Sequence, residues 1–392
     1  MMGCLKVLFI TAWYPTKESP VGGIFVREHA KAVNLYDDII LLHTVGHDQS
    51  LKGWWGMKKE TDESLTQGIP AYRIWYRRLP VPIVSYLIHL WSMYQAFRRI
   101  RADGFRPDII HAHIYEAAVS AVIIGKLYNI PVVVTEQSSK FSRRLLSRFD
   151  TWKARFAFKL AELVMPVSKF LQQSIEEYRI RARFLVVPNI ADTRLFYPNS
   201  DFKTERKRKL GRLLVVCLLD SSHNKGLPYL FNALAMLRIQ REDWHLDIVG
   251  DGPARAEYDC LVKELGLTEK VTFHGLKTKH EVAEYMRQAD LFVLPSLFET
   301  FSAVAAEALL TGTPVLATRC GGPEEFVSDD VGLTVPPRDA KALCDGLNYM
   351  LDHLEGFSPN YISNYAASLF SPERVGEQIQ EIYSASTRKF RT

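Results

Sequence analysis

Cysteine pairs are missing from this chain. Its five cysteines, Cys4, Cys217, Cys260, Cys320 and Cys344, contain no CxxC and are odd in number, which argues against a disulfide framework or a zinc site and for a reducing, cytoplasmic compartment. No Gly-x-Gly-x-x-Gly fingerprint is present, Gly250, Gly252 and Pro253 failing to complete one, so a nicotinamide-dependent oxidoreductase is disfavoured. No Asp-x-Asp triplet occurs, which weakens any metal-held pyrophosphate; no metal and no cofactor are expected. Charge of one sign is scarce too. Lys and Arg number 49 against 44 Asp and Glu, for a formal net charge of +5, which suits an anionic ligand or an anionic membrane surface and not a nucleic acid. Biased tracts and solenoid repeats are absent. The opening "MMGCLKVLFITAWYPTKESP" has no charged leader or cleavage site and reads as a first buried strand, not a signal peptide. The stretch from Leu79 to Phe97, "LPVPIVSYLIHLWSMYQAF", is long enough to span a bilayer, but two prolines, a histidine and a glutamine argue against it.

What is present is the composition of a folded protein, 47% hydrophobic and 24% charged over 392 residues, too long for one core and suited to two domains. Short apolar runs alternate with helical patterns in both halves. Lys6–Thr11, Asp38–Thr44, Ile109–His113, Val132–Thr135 and Val164–Val167 read as buried parallel strands. Leu213–Leu218, Trp244–Val249, Val271–His274, Leu291–Leu294, Pro314–Ala317 and Val331–Val335 repeat the pattern. The expected fold is α/β: two doubly wound, Rossmann-like domains facing each other across a cleft, with ligands beyond the C-terminal strand ends. The domains are placed at 1–195 and 211–370, joined by a polar, basic linker at 196–210, with a C-terminal helix over 371–392 packing back on the first domain.

One segment, "LFVLPSLFETFSAVAAEALLTGTPVLATRCGGPEEFV" from Leu291, sets Glu299 and Glu307 among apolar and small residues. On one helix they would face about 80° apart. The better geometry puts Glu299 in a loop and Glu307 one to two turns into a helix that Ser302 caps and Gly312 ends. Amides at Thr300, Phe301 and Ser302 would then meet an anion, and the two carboxylates would bind hydroxyls, of a ribose and of a sugar.

The segment resembles the E-x7-E signature of the family 4 glycosyltransferases, retaining enzymes of the GT-B fold that use nucleotide-sugar donors. "VVPNIADTRLF", "IVGDGPARAEYDCLVKELGL", "PDIIHAHIYEAAVSAVIIGKLYNIPVVVTEQSS" and "PVGGIFVREHAKAV" resemble further segments of that family, and the likeness covers most of the chain. It implies that Glu307 binds the ribose, Glu299 contacts the donor sugar, and amides of Thr300, Phe301 and Ser302 flank sugar and pyrophosphate. His113 matches a histidine that reaches the donor sugar from the first domain. Lys225 and Gly226 match the phosphate-binding loop, but the arginine usual five residues before the lysine is Asp220 here. Asp220 and His223 in "LLDSSHNKG" resemble a variant of that loop. The missing charge is expected from helix dipoles and another cation, Arg27 or Arg255. Gly22 and Gly23 would let backbone approach a phosphate, and Glu136 and Gln137, after a strand, would point into the cleft.

The resemblance implies a retaining, metal-independent hexosyltransferase, working from a UDP- or GDP-sugar onto a saccharide or polyprenyl-linked acceptor in bacterial surface-polysaccharide assembly. A nucleotide-sugar epimerase or a non-catalytic sugar-nucleotide-binding scaffold on the same fold is the alternative. Arg77 and Arg78 before the Leu79–Phe97 stretch, Arg98, Arg99 and Arg101 after it, and Arg143, Arg144, Arg148, Lys153 and Arg155 beyond suit an interfacial helix on anionic lipid, peripheral on the inner face of the plasma membrane.

Overall fold

Strands apolar on both faces need helices on both sides, and the chain folds accordingly. The computed structural model describes residues 4–19, 22–46, 53–198 and 210–391. It divides into two units, one running to Ile190 and resuming at Pro372, the other spanning Ala191–Ser371. In the first, β1 (Lys6–Thr11), β2 (Asp38–Gly46), β3 (Trp55–Lys59), β4 (Ala71–Tyr76), β5 (Ile109–His113), β6 (Val132–Glu136) and β7 (Leu163–Pro166) form a sheet ordered β3-β4-β2-β1-β5-β6-β7. Every pair is parallel except β3 and β4. The register sets Thr11 of β1 beside His113 of β5, where the winding reverses direction.

The second unit repeats the plan with β8 (Gly211–Val216), β9 (Trp244–Val249), β10 (Val271–Phe273), β11 (Leu291–Leu294), β12 (Val315–Thr318) and β13 (Gly332–Val335), all parallel, ordered β10-β9-β8-β11-β12-β13. Its winding reverses between β8 and β11. The C-terminal strand ends at such a reversal are the place where doubly wound sheets take ligands. Leu213, Leu246, Leu291, Val293 and Leu316 build this core from the strands, and Leu230, Leu234, Tyr258 and Leu347 from the helices.

The antiparallel edge of β3 and β4 was not among the expected strands. "WGMKK" and "AYRIWY" mix polar and apolar positions because only one face of an edge is covered. The first break between the units falls at Ile190, ahead of the 196–210 stretch, since Leu195 is held in the second unit by a 2.9 Å hydrogen bond from Arg287 to its carbonyl. Most of that stretch, 199–209, lies outside the described residues. The last helix, Pro372–Arg391, buries Val375, Ile379 and Tyr383 in the core of the first unit. Gly376 allows its close approach, because a Cβ there would lie 2.7 Å from the Ala32 carbonyl oxygen.

Candidate active site

The loop after β8 and the loop after β11 are stitched together. Leu297 donates its amide to the Asn224 carbonyl at 2.7 Å, and the Asn224 side-chain amide donates to the Phe298 carbonyl at 3.0 Å. Gly226, at φ 67°, starts the Leu227–Gln240 helix, and a Cβ there would fall 1.9 Å from the Pro295 carbonyl oxygen, so only glycine fits. Glu299 is clamped from its other side, donating its amide to Cys320 at 2.8 Å and accepting from the Gly322 amide at 2.9 Å. These restraints bring Lys225 Nζ and Ser296 Oγ each to 2.8 Å from Glu299 Oε1. Both contacts fall on one oxygen, leaving Oε2 for a hydroxyl. Burial pulls the Lys225 ammonium down, but the Glu299 carboxylate outweighs it and holds Lys225 above the usual lysine range. The nearby thiols are pushed up by burial, Cys217 and Cys320 both to about 12, so neither is a ready nucleophile.

Glu307 sits in the second turn of the Ala303–Leu310 helix, 7% exposed, and accepts from Lys279 Nζ at 3.3 Å. Sequence reasoning missed Lys279. A signal existed: a lysine in the first turn of the Lys279–Gln288 helix opposes the helix dipole and calls for a carboxylate from elsewhere. Ser302 occupies the expected cap position but makes no capping bond; it is left-handed, at φ 76°, and its Oγ is buried with no hydrogen-bond partner. The Phe301 ring is committed to the core against Phe326 and Phe370, at 5.4 and 5.3 Å between centroids, so only its backbone can face a ligand. Thr300 is partly exposed beside it.

Several candidates have other employment. Asp220 accepts from the amide and the hydroxyl of Ser222, closing a turn. His223 is tied to the Arg255–Glu264 helix through the Tyr258 hydroxyl at 3.1 Å. Neither arginine proposed to replace the missing loop charge is unengaged: Arg255 pairs with Asp259 and lies 4.3 Å over the Phe273 ring, and Arg27 is buried against Glu28. Gly22 and Gly23 are closely packed, since a Cβ would meet Ser19 Oγ at 2.6 Å at the first and the Trp13 carbonyl carbon at 2.5 Å at the second, and both line an open cavity of about 490 Å³ with Trp13, Tyr14, Phe25 and His43. Glu136 does not line a cleft: it is wholly buried and accepts three backbone amides, of Tyr115, Gln137 and Ser138, at 2.8 to 3.0 Å. Burial pushes its carboxyl up to about 8 against their pull. Gln137 is buried beside it.

His113 ends β5 with both ring nitrogens buried and without a partner, stacked 4.4 Å from His111 and meeting the His29 ring edge-on at 5.5 Å. Burial, with those two rings, holds it far below the usual histidine value, so it is uncharged. His111 is spoken for, sharing hydrogen bonds with the Tyr383 hydroxyl at 2.5 Å and Thr135 Oγ1 at 2.7 Å. Among the described residues no cluster of three or more His, Cys, Asp or Glu could hold a metal ion.

Comparison with known proteins agrees with this layout. A family model described as glycosyl transferases group 1 matches residues 199–367, and one described as glycosyltransferase family 4 matches residues 56–195. A D-inositol 3-phosphate glycosyltransferase of Corynebacterium aurimucosum is 30% identical over 304 residues, 71% of each chain. The lipopolysaccharide core biosynthesis mannosyltransferase LpsB of Rhizobium meliloti is 27% identical over 77% of this chain and 84% of its own. Among solved structures, HepE of Anabaena in complex with UDP superposes with a TM-score of 0.75 at 22% identity, covering 97% of this chain and all of its own. The fold is therefore GT-B, and the chain belongs to the group 1 glycosyltransferases of family 4.

Proposed function

We propose that the chain is a retaining glycosyltransferase that moves a hexose-type sugar from a UDP- or GDP-sugar to a saccharide acceptor, carried on a polyprenyl lipid, in surface-polysaccharide assembly. The observation that carries this is the Lys225–Glu299 pair, closed by Ser296, at the point where the winding of the second sheet reverses. An arriving pyrophosphate draws on the Lys225 ammonium, the start of the Ala303–Leu310 helix and the unpartnered Ser302 hydroxyl. Glu307 takes the ribose diol and Glu299 the sugar hydroxyls.

In the reaction the bond from the anomeric carbon to the phosphate oxygen breaks through an oxocarbenium-like state. The acceptor oxygen bonds the same face, and its proton passes to the departing phosphate. Transfer is metal-independent in this reading, with Lys225 and helix amides meeting the charge. Support comes from LpsB, named for lipopolysaccharide core biosynthesis, and from HepE, solved with UDP and UDP-glucose.

The test is a thermal-shift and mass-spectrometric panel of UDP-, GDP- and ADP-sugars with and without EDTA, on wild type and Glu307→Ala. Stabilisation by one series, lost in the variant, with donor turnover indifferent to EDTA, is expected. Conversion of the donor without an acceptor would identify an epimerase, and no response to any nucleotide sugar would leave a scaffold. Loss of transfer on chelation, restored by magnesium or manganese, would overturn metal independence.

A further inference from the structure

The Pro82–Ala102 helix carries two apolar stripes where a helix on the surface of a globular unit needs one. Met93, Ala96, Phe97 and Ile100 are buried in the first unit. Ile83, Leu87 and Trp91, one turn apart, point elsewhere with Val84 and are 37 to 57% exposed. Trp54 stands against them, and Trp54, Val84, Leu87, Ile88 and Trp91 line an open groove of about 360 Å³. The face continues onto the Arg148–Leu160 helix: Phe149 meets the Tyr86 ring edge-on at 5.7 Å and stacks on Trp152 at 5.9 Å. Phe149, Trp152 and the neighbouring Leu145 are each about half exposed. An apolar surface running over three elements is unusual for a protein surrounded only by water.

The charge around it is mostly basic, and the carboxylates nearest the Tyr86 ring, Asp150 and Glu116, are paired with Lys153 and Lys140. Neither 77–102 nor 137–149 contains an Asp or Glu. Arg77, Arg78, Arg143 and Arg148 are exposed, and none has a carboxylate partner among the described residues. Three tryptophans in a ring of unpaired guanidiniums match a surface that is apolar below and anionic in its plane, which a lipid leaflet is and a protein groove is not. We propose that this face, Trp54 with the exposed stripes of the two helices, seats on the headgroup boundary of an anionic bilayer, its aromatic side chains entering the boundary and its arginines meeting lipid phosphates. Among the described residues no helix is long and apolar enough to cross a membrane, so the contact is a resting one. The proposal rests on the lipid-linked-acceptor reading only for its purpose.

The test is flotation of the whole chain with vesicles of phosphatidylcholine, with and without one-third phosphatidylglycerol, at low and high salt. The variants are Leu87→Asp/Trp152→Ser and Arg143→Gln/Arg148→Gln, with Ile239→Asp, 87% exposed in the second unit, as control. Binding to the anionic vesicles is expected, weakened by salt and by the arginine changes, and reduced about tenfold for each lost apolar anchor, the scale of half-burying such a side chain. The control binds like wild type. Circular dichroism shows the variants folded, and turnover of a water-soluble acceptor stays at the wild-type rate. Equal binding by wild type and the apolar variant, or equal binding to neutral vesicles, overturns the proposal. So does a concentration-dependent dimer that the apolar variant abolishes, since the face would then belong to a second copy. Failure of the wild type to glycosylate any soluble acceptor counts against the transferase reading and leaves the vesicle result standing.

Discussion

Acid should unfold the first unit before the second. His29, His43, His89, His111 and His113 are all held down by burial, His29 and His89 to about 4 and His43 to about 3. Arg73 adds to the effect at His43, and Lys153 and Arg78 at His89. Unfolded, each titrates near 6.5. The unfolded chain therefore binds more protons below that value, and the stability tied to these rings, complete above pH 6.5, is lost as pH falls toward the folded values. Between pH 7 and pH 5 His29, His43 and His89 each give up about 1.8 kcal/mol, about 5.5 kcal/mol together, and His111 and His113 add to the loss in the same direction. Glu136 works in the opposite sense: raised to about 8, it is penalised as pH rises and recovers about 2.5 kcal/mol over the same descent. The net loss from the groups with the smaller shifts, about 3 kcal/mol before His111 and His113 are added, is already a large fraction of a domain's stability. None of the five histidines of the second unit is buried. The assay is thermal unfolding from pH 8 to 5, followed by tryptophan emission, because six of the seven tryptophans lie in the first unit, and by far-ultraviolet circular dichroism for both. The tryptophan transition should fall away from the second one on acidification, and His89→Phe should flatten its slope by about 1.4 kcal/mol per pH unit. Coincident transitions at every pH, or an unchanged slope in the variant, would refute the reasoning.

Three further outcomes are expected. Lys225→Met leaves the largely buried Glu299 charge with only the Ser296 hydroxyl on its side chain, which should destabilise the second unit by about 2 kcal/mol in urea unfolding; adding Glu299→Gln should restore most of it while donor turnover stays lost. Glu307→Ala should weaken binding of free nucleotide about tenfold or more by calorimetry, and Lys279→Ala less, whereas Glu299→Ala should harm intact donor more than nucleotide. Ser302→Gly should relieve the left-handed backbone and raise stability by about 1 kcal/mol, read as an upward shift in Tm, while removing a hydroxyl that the donor uses.

Strands buried on both faces were the most legible part of the sequence. Lys6–Thr11 and Leu291–Leu294 stand where their apolar runs placed them, and so do Ile109–His113 and Trp244–Val249, where His111, His113 and Asp247 are themselves buried and leave the apolar pattern readable. The antiparallel pair β3 and β4 at the sheet edge stayed hidden for the opposite reason. Within the site, a loop position for Glu299 and a helical one for Glu307 followed from their spacing. That Lys225 would meet Glu299 depends on two loops converging in space, and the helix-start signal at Lys279 does not say which carboxylate answers it, because Glu307 lies on another helix. Glu136 shows the limit from the other side. A carboxylate after a strand suits a ligand as well as it suits the chain's own backbone, and only the amides of Tyr115, Gln137 and Ser138 decide between the two.

The second unit is inserted into the first, between Ile190 and Pro372, and this sets an order of completion during synthesis. The seven-stranded sheet leaves the ribosome long before Val375, Ile379 and Tyr383, the side chains that finish its core and satisfy His111. Until they arrive the first unit keeps an open apolar trough, while Ala191–Ser371 already holds everything its own core needs. The later-made unit can therefore close first, and the earlier-made one waits. A chain that stalls inside the last helix is left with a surface of the kind chaperones and proteases bind. The final helix thus certifies that translation has passed through both halves.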